Sequence, residues 1–210
     1  MSERRTSGFT MIELLAVILI IGILAGVLIT QLSDAQEGVE VADTRNLLTQ
    51  LEAAVDFYET EEGSYPLSFF TDKQGVPNEG QNVGSEALVV ALWSNGFEAG
   101  GLGDLSEDLV NTDNDQSSVT LTDFDSRELF ELPDSWGNPV AYIHQREYEN
   151  KPRPYLTFDP VTGEEIVSAP KALKSEKTGR FFRLRSFQLI SAGPDGTFGT
   201  EDDITNFETD

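Results

Sequence analysis

Three patterns of apolar and polar positions follow one another along the chain. Residues 9–29 are apolar at almost every position, from Phe9 through Ile12, Leu14 and Val17 to Ile29, and Glu13 is the one charge among them. As a helix these 21 residues span about 31 Å, close to the hydrocarbon thickness of a bilayer. A helix apolar all round suits lipid or the middle of a bundle. Arg4 and Arg5 precede the run, whereas Asp34, Glu37 and Glu40 follow it. That bias predicts a cytoplasmic N-terminus and a chain body on the far side of the membrane. Gly22 and Gly26 form a small-x-x-x-small pair, which permits either close helix packing or local unwinding outside lipid.

The second pattern is periodic. Val41, Thr44, Leu48, Leu51, Val55 and Tyr58 recur at threes and fours, the spacing of an amphipathic helix with one buried stripe. No proline follows until Pro66, and Gly63 ahead of it supplies a stop. The spacing predicts one helix of about 50 residues, roughly 75 Å long. Residues 9–30 form its apolar half and residues 31–62 its amphipathic half. A bend at Gly38, dividing an anchor from a separate soluble helix, is the alternative.

Beyond residue 66 the elements shorten. Residues 85–97 fit a helix with Ala87, Leu88, Ala91, Leu92 and Trp93 on its core side. Residues 100–125, rich in Gly, Asp, Asn and Ser, read as a surface excursion. Residues 132–139, Leu-Pro-Asp-Ser-Trp-Gly-Asn-Pro, make a rigid turn ahead of a strand at 140–144. Further strands are expected at Tyr155–Phe158, Glu165–Ser168 and 183–190. The class is α+β: a long N-terminal helix packed on a small antiparallel sheet, with the head (66–210) using the helix stripe to complete its core.

Residues 1–8 are polar and basic and end in Gly8; Phe9 and Thr10 follow, and Glu13 is the fifth residue beyond the glycine. No small-residue cleavage pattern follows Ile29, so the apolar stretch is expected to be retained. These residues resemble the class III signal and N-terminal helix of type IV pilin-like proteins, and the resemblance implies that fold. It implies removal of the leader (1–8) by a prepilin peptidase that cuts after Gly8 and methylates the new amine of Phe9. It also implies that in a filament, whose core residues 9–30 would form, Glu13 of one subunit meets the Phe9 amine of a neighbour. An unpaired carboxylate in an apolar bundle costs several kcal/mol or takes up a proton. A glutamate that merely reaches the headgroups, or an uncut single-span anchor, is the alternative.

Two stretches of the head carry the resemblance further. Pro133-Asp134-Ser135-Trp136-Gly137-Asn138-Pro139 resembles the Asp-Pro-Trp-Gly-x-Pro turn of major pseudopilins of type II secretion, with serine replacing the first proline. Residues 191–204, Ser-Ala-Gly-Pro-Asp-Gly-Thr-Phe-Gly-Thr-Glu-Asp-Asp-Ile, resemble the calcium loop of that subfamily. Calcium takes about six to eight oxygen ligands on a flexible loop. Asp195, Asp202 and Asp203 offer carboxylates, and Gly193, Gly196 and Gly199 let the backbone curl. Adjacent Asp202 and Asp203 repel unless a positive charge lies beside them. Asp195 and Asp202 are the expected ligands, Asp203 a ligand or its neighbour, and carbonyls near Ser191 and Thr200 further donors. Without the resemblance, the same loop reads as an ordinary solvated Gly/Asp turn.

The resemblance covers residues 1–66 and 129–204; the acidic insertion at about 70–128 departs from it. There Asp104, Asp108, Asp113, Asp115, Asp123 and Asp125 fit no complete calcium-loop spacing. They read as a solvated acidic loop, a second ion being the alternative.

Composition narrows the function. With 37 acidic against 14 basic residues the net charge is −23, which argues against a nucleic-acid partner. The basic cluster Lys171, Lys174, Lys177, Arg180, Arg183 and Arg185 faces either an acidic surface of a neighbour or solvent at a strand edge. There is no cysteine, so disulfides cannot staple the head and an ion in the C-terminal loop gains value. The one histidine, His144, lies in a strand and reads as structural, and zinc held by imidazole or thiolate is excluded. No nucleophile–base pair stands out, so no catalytic role is expected.

The resemblance then implies a structural subunit that polymerises into a type II secretion pseudopilus driving protein export. It would be a single-pass inner-membrane protein with its N-terminus cytoplasmic and its head in the periplasm or at the cell surface. Implied partners are further copies in a helical filament, the prepilin peptidase, an inner-membrane assembly platform with minor pseudopilins, and membrane lipid before assembly. A surface type IV pilus subunit and a non-polymerising single-span binding protein are the other readings.

Overall fold

The computed structural model describes residues 10–97 and 103–210, side chains 27, 29–34 and 103–104 excepted. The chain divides into two compact units, Met1–Val39 and Glu40–Asp210. Helix α1, Met11–Glu62, supplies residues to both, and Gly38 lies within it. In the first unit its large apolar side chains, such as Met11, Ile12, Leu15, Ile18 and Leu24, are exposed. Among the described residues no helix is long and apolar enough to cross a membrane. The apolar run read from the sequence takes in Phe9 and the side chains of residues 27 and 29, which lie outside the description.

The second unit is built on the periodic stripe. Thr44, Leu48, Leu51 and Val55 are buried, with Val41 and Tyr58 partly covered at the ends, as the threes and fours require. The stripe ends where expected: the Gly63 N–H closes on the Glu59 carbonyl at 2.9 Å. Leu48, Leu51 and Val55 meet Leu88, Val89 and Leu92 of helix α2 (Val83–Leu92) and one face of a three-stranded sheet. Helix α2 is shorter than the 85–97 span read from the sequence. Asn95 and Gly96 both take positive φ and turn the chain away, leaving Trp93 partly buried beyond the helix end.

The sheet is antiparallel, ordered β1 (Ala141–His144), β4 (Phe187–Ser191), β5 (Ile204–Thr205). Its register sets Ala141 opposite Ile190 and Ser191 opposite Ile204. Side chains alternate as a pleat demands. Tyr142, Phe187 and Leu189 face the helices, whereas Ala141 and Ile190 join Tyr155, Ala192 and Phe198 on the other side. All of β4 is buried because both faces are covered. Tyr155 belongs to a separate hairpin of β2 (Tyr155–Phe158) and β3 (Glu165–Ser168), both at the positions read from the sequence.

The strand expected at 183–190 forms only from Phe187. Arg183 has φ 53°, incompatible with an extended run, and its guanidinium bonds the Glu52 carboxylate of α1 and the Asn206 carbonyl. The left-handed turn at Arg183 thus breaks the extended pattern, while its side chain ties this corner to α1. Helix α2 comes so close to the sheet at Gly84 that a Cβ there would collide with the Tyr142 carbonyl and the Tyr155 hydroxyl.

Leu51→Ala should lower the unfolding free energy by about 2–5 kcal/mol, because the emptied volume is walled by three packed elements. Chemical denaturation of the detergent-solubilised chain, followed by tryptophan fluorescence, measures it. His144 gives a pH signature. Burial, then the nearby Arg146 charge, pushes its pKa from 6.5 down to about 4, and its Nδ1 accepts from the Arg146 N–H at 3.1 Å. The fold favours the neutral ring, so this contribution is complete above pH 6.5 and is lost as pH falls through about 4. Relative to His144→Asn, the parent should lose about 1–2 kcal/mol between pH 7.5 and 5, read from paired denaturation curves.

Candidate functional site

At the head of α1, Thr10 and Glu13 cap one another. The Thr10 N–H and hydroxyl donate to Glu13 Oε2 at 2.8 and 2.7 Å, and the Glu13 N–H returns to Thr10 Oγ1 at 3.3 Å. This is a capping box, legible as Thr-x-x-Glu but not read from the sequence above. Gly8 and Phe9 lie outside the described residues.

The C-terminal loop gathers the three expected acids. A short 3₁₀ turn, Gly193–Asp195, brings the Asp195 N–H to Asp202 Oδ2 at 3.2 Å. The Thr200 hydroxyl bonds the Asp202 carboxylate, and the Gly199 N–H bonds Asp203 Oδ2 at 2.9 Å. Asp203 Oδ1 is buried and unpartnered. Burial foremost, with the Asp202 and Asp195 charges adding, raises the Asp203 pKa to about 6. Asp203 thus leaves one bare buried oxygen, the kind of donor calcium takes, beside two further acids on a glycine-rich loop, but among the described residues the three carboxylates are not drawn to within 4.8 Å of one another. Gly193 closes the curl: its φ is +65°, and a Cβ would strike the Asp202 carbonyl.

Ser191 has a further duty. Its hydroxyl donates to Asp134 Oδ2 at 2.6 Å and accepts from the Gly193 N–H at 3.1 Å. Asp134 Oδ1 accepts from the Trp136 and Asn138 N–H groups, both at 3.0 Å, which closes the 133–139 turn. Asn138 in turn brackets β2, donating to the Phe158 carbonyl and accepting from its N–H. The two stretches that carried the resemblance are therefore one structure.

A second acidic group was not foreseen in composition. Asp113 and Asp115, read above as solvated, lie against Glu86 of α2 and Glu131. Val110 and Glu131 exchange backbone hydrogen bonds at 3.1 and 2.7 Å, folding the insertion back on itself. The Thr112 N–H and the Asn82 amide then donate to the Glu131 carboxylate, both at 2.9 Å. Glu86, Asp113 and Glu131 each place an oxygen within 4.8 Å of the others. Burial is the leading cause that lifts Glu86 to about 10, Glu131 to about 8 and Asp115 to about 6. Sequence separation hid this group, since Glu86 and Glu131 sit among apolar neighbours rather than in an acidic run.

The basic cluster is divided. Lys171 and Lys174 line a cavity of about 660 Å³ with Tyr148 and Arg153, whereas Arg183 is committed to Glu52.

Residues 4–29 match the prokaryotic N-terminal methylation motif. The chain is type IV pilin-like. It is similar to Type II secretion system core protein G of Escherichia coli K12, 26% identical over 201 residues, or 95% of this chain and 90% of that protein. The same-named proteins of Aeromonas hydrophila and Pseudomonas aeruginosa are 36% and 33% identical over 76 and 66 residues. Those stretches are 36% and 31% of this chain, and 50% and 46% of the two relatives, so they span about half of each. No solved structure matches. The long helix with a small antiparallel sheet is the α+β, type IV pilin-like fold the resemblance implied.

In this pilin-like chain Gly193→Ala should cost about 1–3 kcal/mol through backbone strain and the clash with Asp202. Hydrogen exchange should quicken across residues 193–203 while Leu48–Val55 amides stay protected.

Proposed function

We propose that the chain is a structural subunit of a type II secretion pseudopilus, mechanical rather than catalytic, whose polymerisation drives export of folded protein. The observation that carries the reading is similarity to core protein G along 95% of the chain, with the methylation motif at its head. The exposed apolar side chains of α1 between Met11 and Leu28 support it, since they call for lipid before assembly and other copies afterwards.

In this reading the prepilin peptidase removes residues 1–8 after Gly8 and methylates the Phe9 amine. The uncut precursor is single-pass, with its N-terminus cytoplasmic and its head across the inner membrane. Thr10 survives cleavage as the second residue, so the capping box persists and presents the Glu13 carboxylate at the helix start. A neighbour's Phe9 amine then pairs with that carboxylate, fixing the stagger between copies. The assembly platform and minor pseudopilins are the partners this role requires. Calcium occupies the C-terminal loop through Asp195, Asp202 and Asp203, with carbonyls near Ser191 and Thr200 completing the shell, and rigidifies a surface that faces other subunits.

Intact mass should begin at Phe9 with one added methyl group; a chain retaining Met1 in its native membrane sinks the reading. Glu13→Ala should leave membrane insertion intact and cut sheared filament yield by about tenfold or more, as loss of a buried charge pair predicts. Thr10→Ala removes the cap but keeps the carboxylate. It should assemble far better than Glu13→Ala; equal loss would reduce Glu13 to a helix cap.

A further inference from the structure

We propose that Glu86, Asp113 and Glu131 hold a divalent cation, calcium by preference, at a site separate from the C-terminal loop, and that this ion pins the acidic insertion to helix α2.

Burial without compensation is the first ground. Glu86 is 1% exposed and Glu131 0% exposed. Both oxygens of Glu86, and Oδ1 of Asp113 and of Asp115, are buried with no hydrogen-bond partner. The charges acting on Glu86 are those of Asp115, Asp113 and Glu131, all of one sign. Protonation does not resolve this. A protonated Glu86 gains a single hydrogen to donate, which cannot satisfy the bare oxygens of Glu86, Asp113 and Asp115 together. A cation satisfies several bare oxygens at once and cancels their repulsion.

Geometry is the second ground. The three carboxylates converge to within 4.8 Å of one another. Oxygens on opposite sides of a calcium ion stand about 4.6–5.2 Å apart, twice a bond of about 2.3–2.6 Å. All the donors are oxygen, which selects hard cations over zinc or copper. Asp115, whose Oδ1 is also bare and buried, lies near enough for its charge to act on Glu86. Glu131 is held in position independently, by Asn82 and Thr112. Asn82 also accepts from the Leu156 N–H at 2.9 Å, which anchors the site to β2.

The ligands come from three separated places: α2, the 110–116 limb and the 128–131 limb. An ion between them closes the insertion over the helix, a stapling role that no cysteine is present to fill. The site stands on these residues alone and does not depend on the pseudopilin reading.

The test uses the full chain in detergent, with Asp195→Asn and Asp202→Asn to silence the C-terminal loop. After chelator treatment and exchange, calcium chloride is titrated by calorimetry, with magnesium and manganese in parallel. One equivalent of calcium should bind, and amide exchange across residues 110–131 should slow by about tenfold or more. Glu86→Met in that background deletes the bare carboxylate while keeping volume, so it should fold at least as well without metal and bind none. Asp113→Asn provides the same reading should Glu86→Met misfold. Binding of magnesium or manganese in place of calcium upholds the site and changes its preferred ion. No uptake of any of the three by the folded background chain overturns the proposal. So does undiminished uptake after Glu86→Met and Asp113→Asn.

Discussion

The head holds together because one helix stripe is its missing wall. Leu48, Leu51 and Val55 close a core whose other sides are α2 and the Tyr142–Phe187–Leu189 face of the sheet. The opposite face is sealed by Tyr155 and Phe198. A three-stranded sheet buried on both faces leaves few exposed positions, which is why short strands suffice here. Stripping the stripe away would expose Tyr142 and Phe187 together, and the small sheet offers nothing to replace it. Anything that acts on residues 41–58 therefore acts on the fold of the head.

Polar bonds extend this dependence to the loops. Thr44 lies fully buried on the stripe, and its hydroxyl donates to Ser135 Oγ at 2.9 Å while accepting from the Ser135 N–H at 3.2 Å. Ser135 follows Asp134, which holds Ser191, which holds Gly193 at the start of the C-terminal loop. Helix, Trp-Gly turn and acidic loop are thus joined by hydrogen bonds of 2.6–3.2 Å through the Asp134–Ser135 peptide link. Arg183 makes a second tie, from Glu52 of the helix to the Asn206 carbonyl beyond β5. A subunit that works mechanically gains from such ties, because its surface loops cannot shift without disturbing buried partners.

Much of this was legible in order along the chain. The threes and fours from Val41 to Tyr58 gave the stripe, Thr44 included, because helix period survives in a sequence regardless of what packs on it. The β2–β3 hairpin was readable from its two strands, and in the structure Asp159 closes its turn by accepting from the Val161 and Thr162 N–H groups. The fourth strand begins at Phe187 rather than Arg183 because Arg183 turns left-handed, a backbone conformation that apolar alternation does not encode. The capping box at Thr10 was available as a four-residue pattern but was overshadowed by the charge of Glu13.

The acidic insertion shows where local reading fails in principle. Asp113 and Asp115 look like solvated residues because their sequence neighbours are polar, and Glu86 looks like a tolerated charge at a helix start. Only the pairing of Val110 with Glu131 brings them together, and that pairing joins limbs 21 positions apart without regular strands. Once folded, the balance reverses: carboxylates that were cheap in water become the costliest groups in the head, and their pKa values climb accordingly. A chain with a net charge of −23 has no shortage of exposed positions for acids. Bringing three of them to within 4.8 Å of one another, with the Asp115 charge acting on Glu86 as well, is a standing destabilisation unless something positive shares the place. The C-terminal loop shows the same arrangement in milder form, one bare oxygen of Asp203 among three acids. Both places hold buried carboxylate oxygen that no hydrogen bond satisfies, and that shared feature is the ground on which a cation is proposed at each.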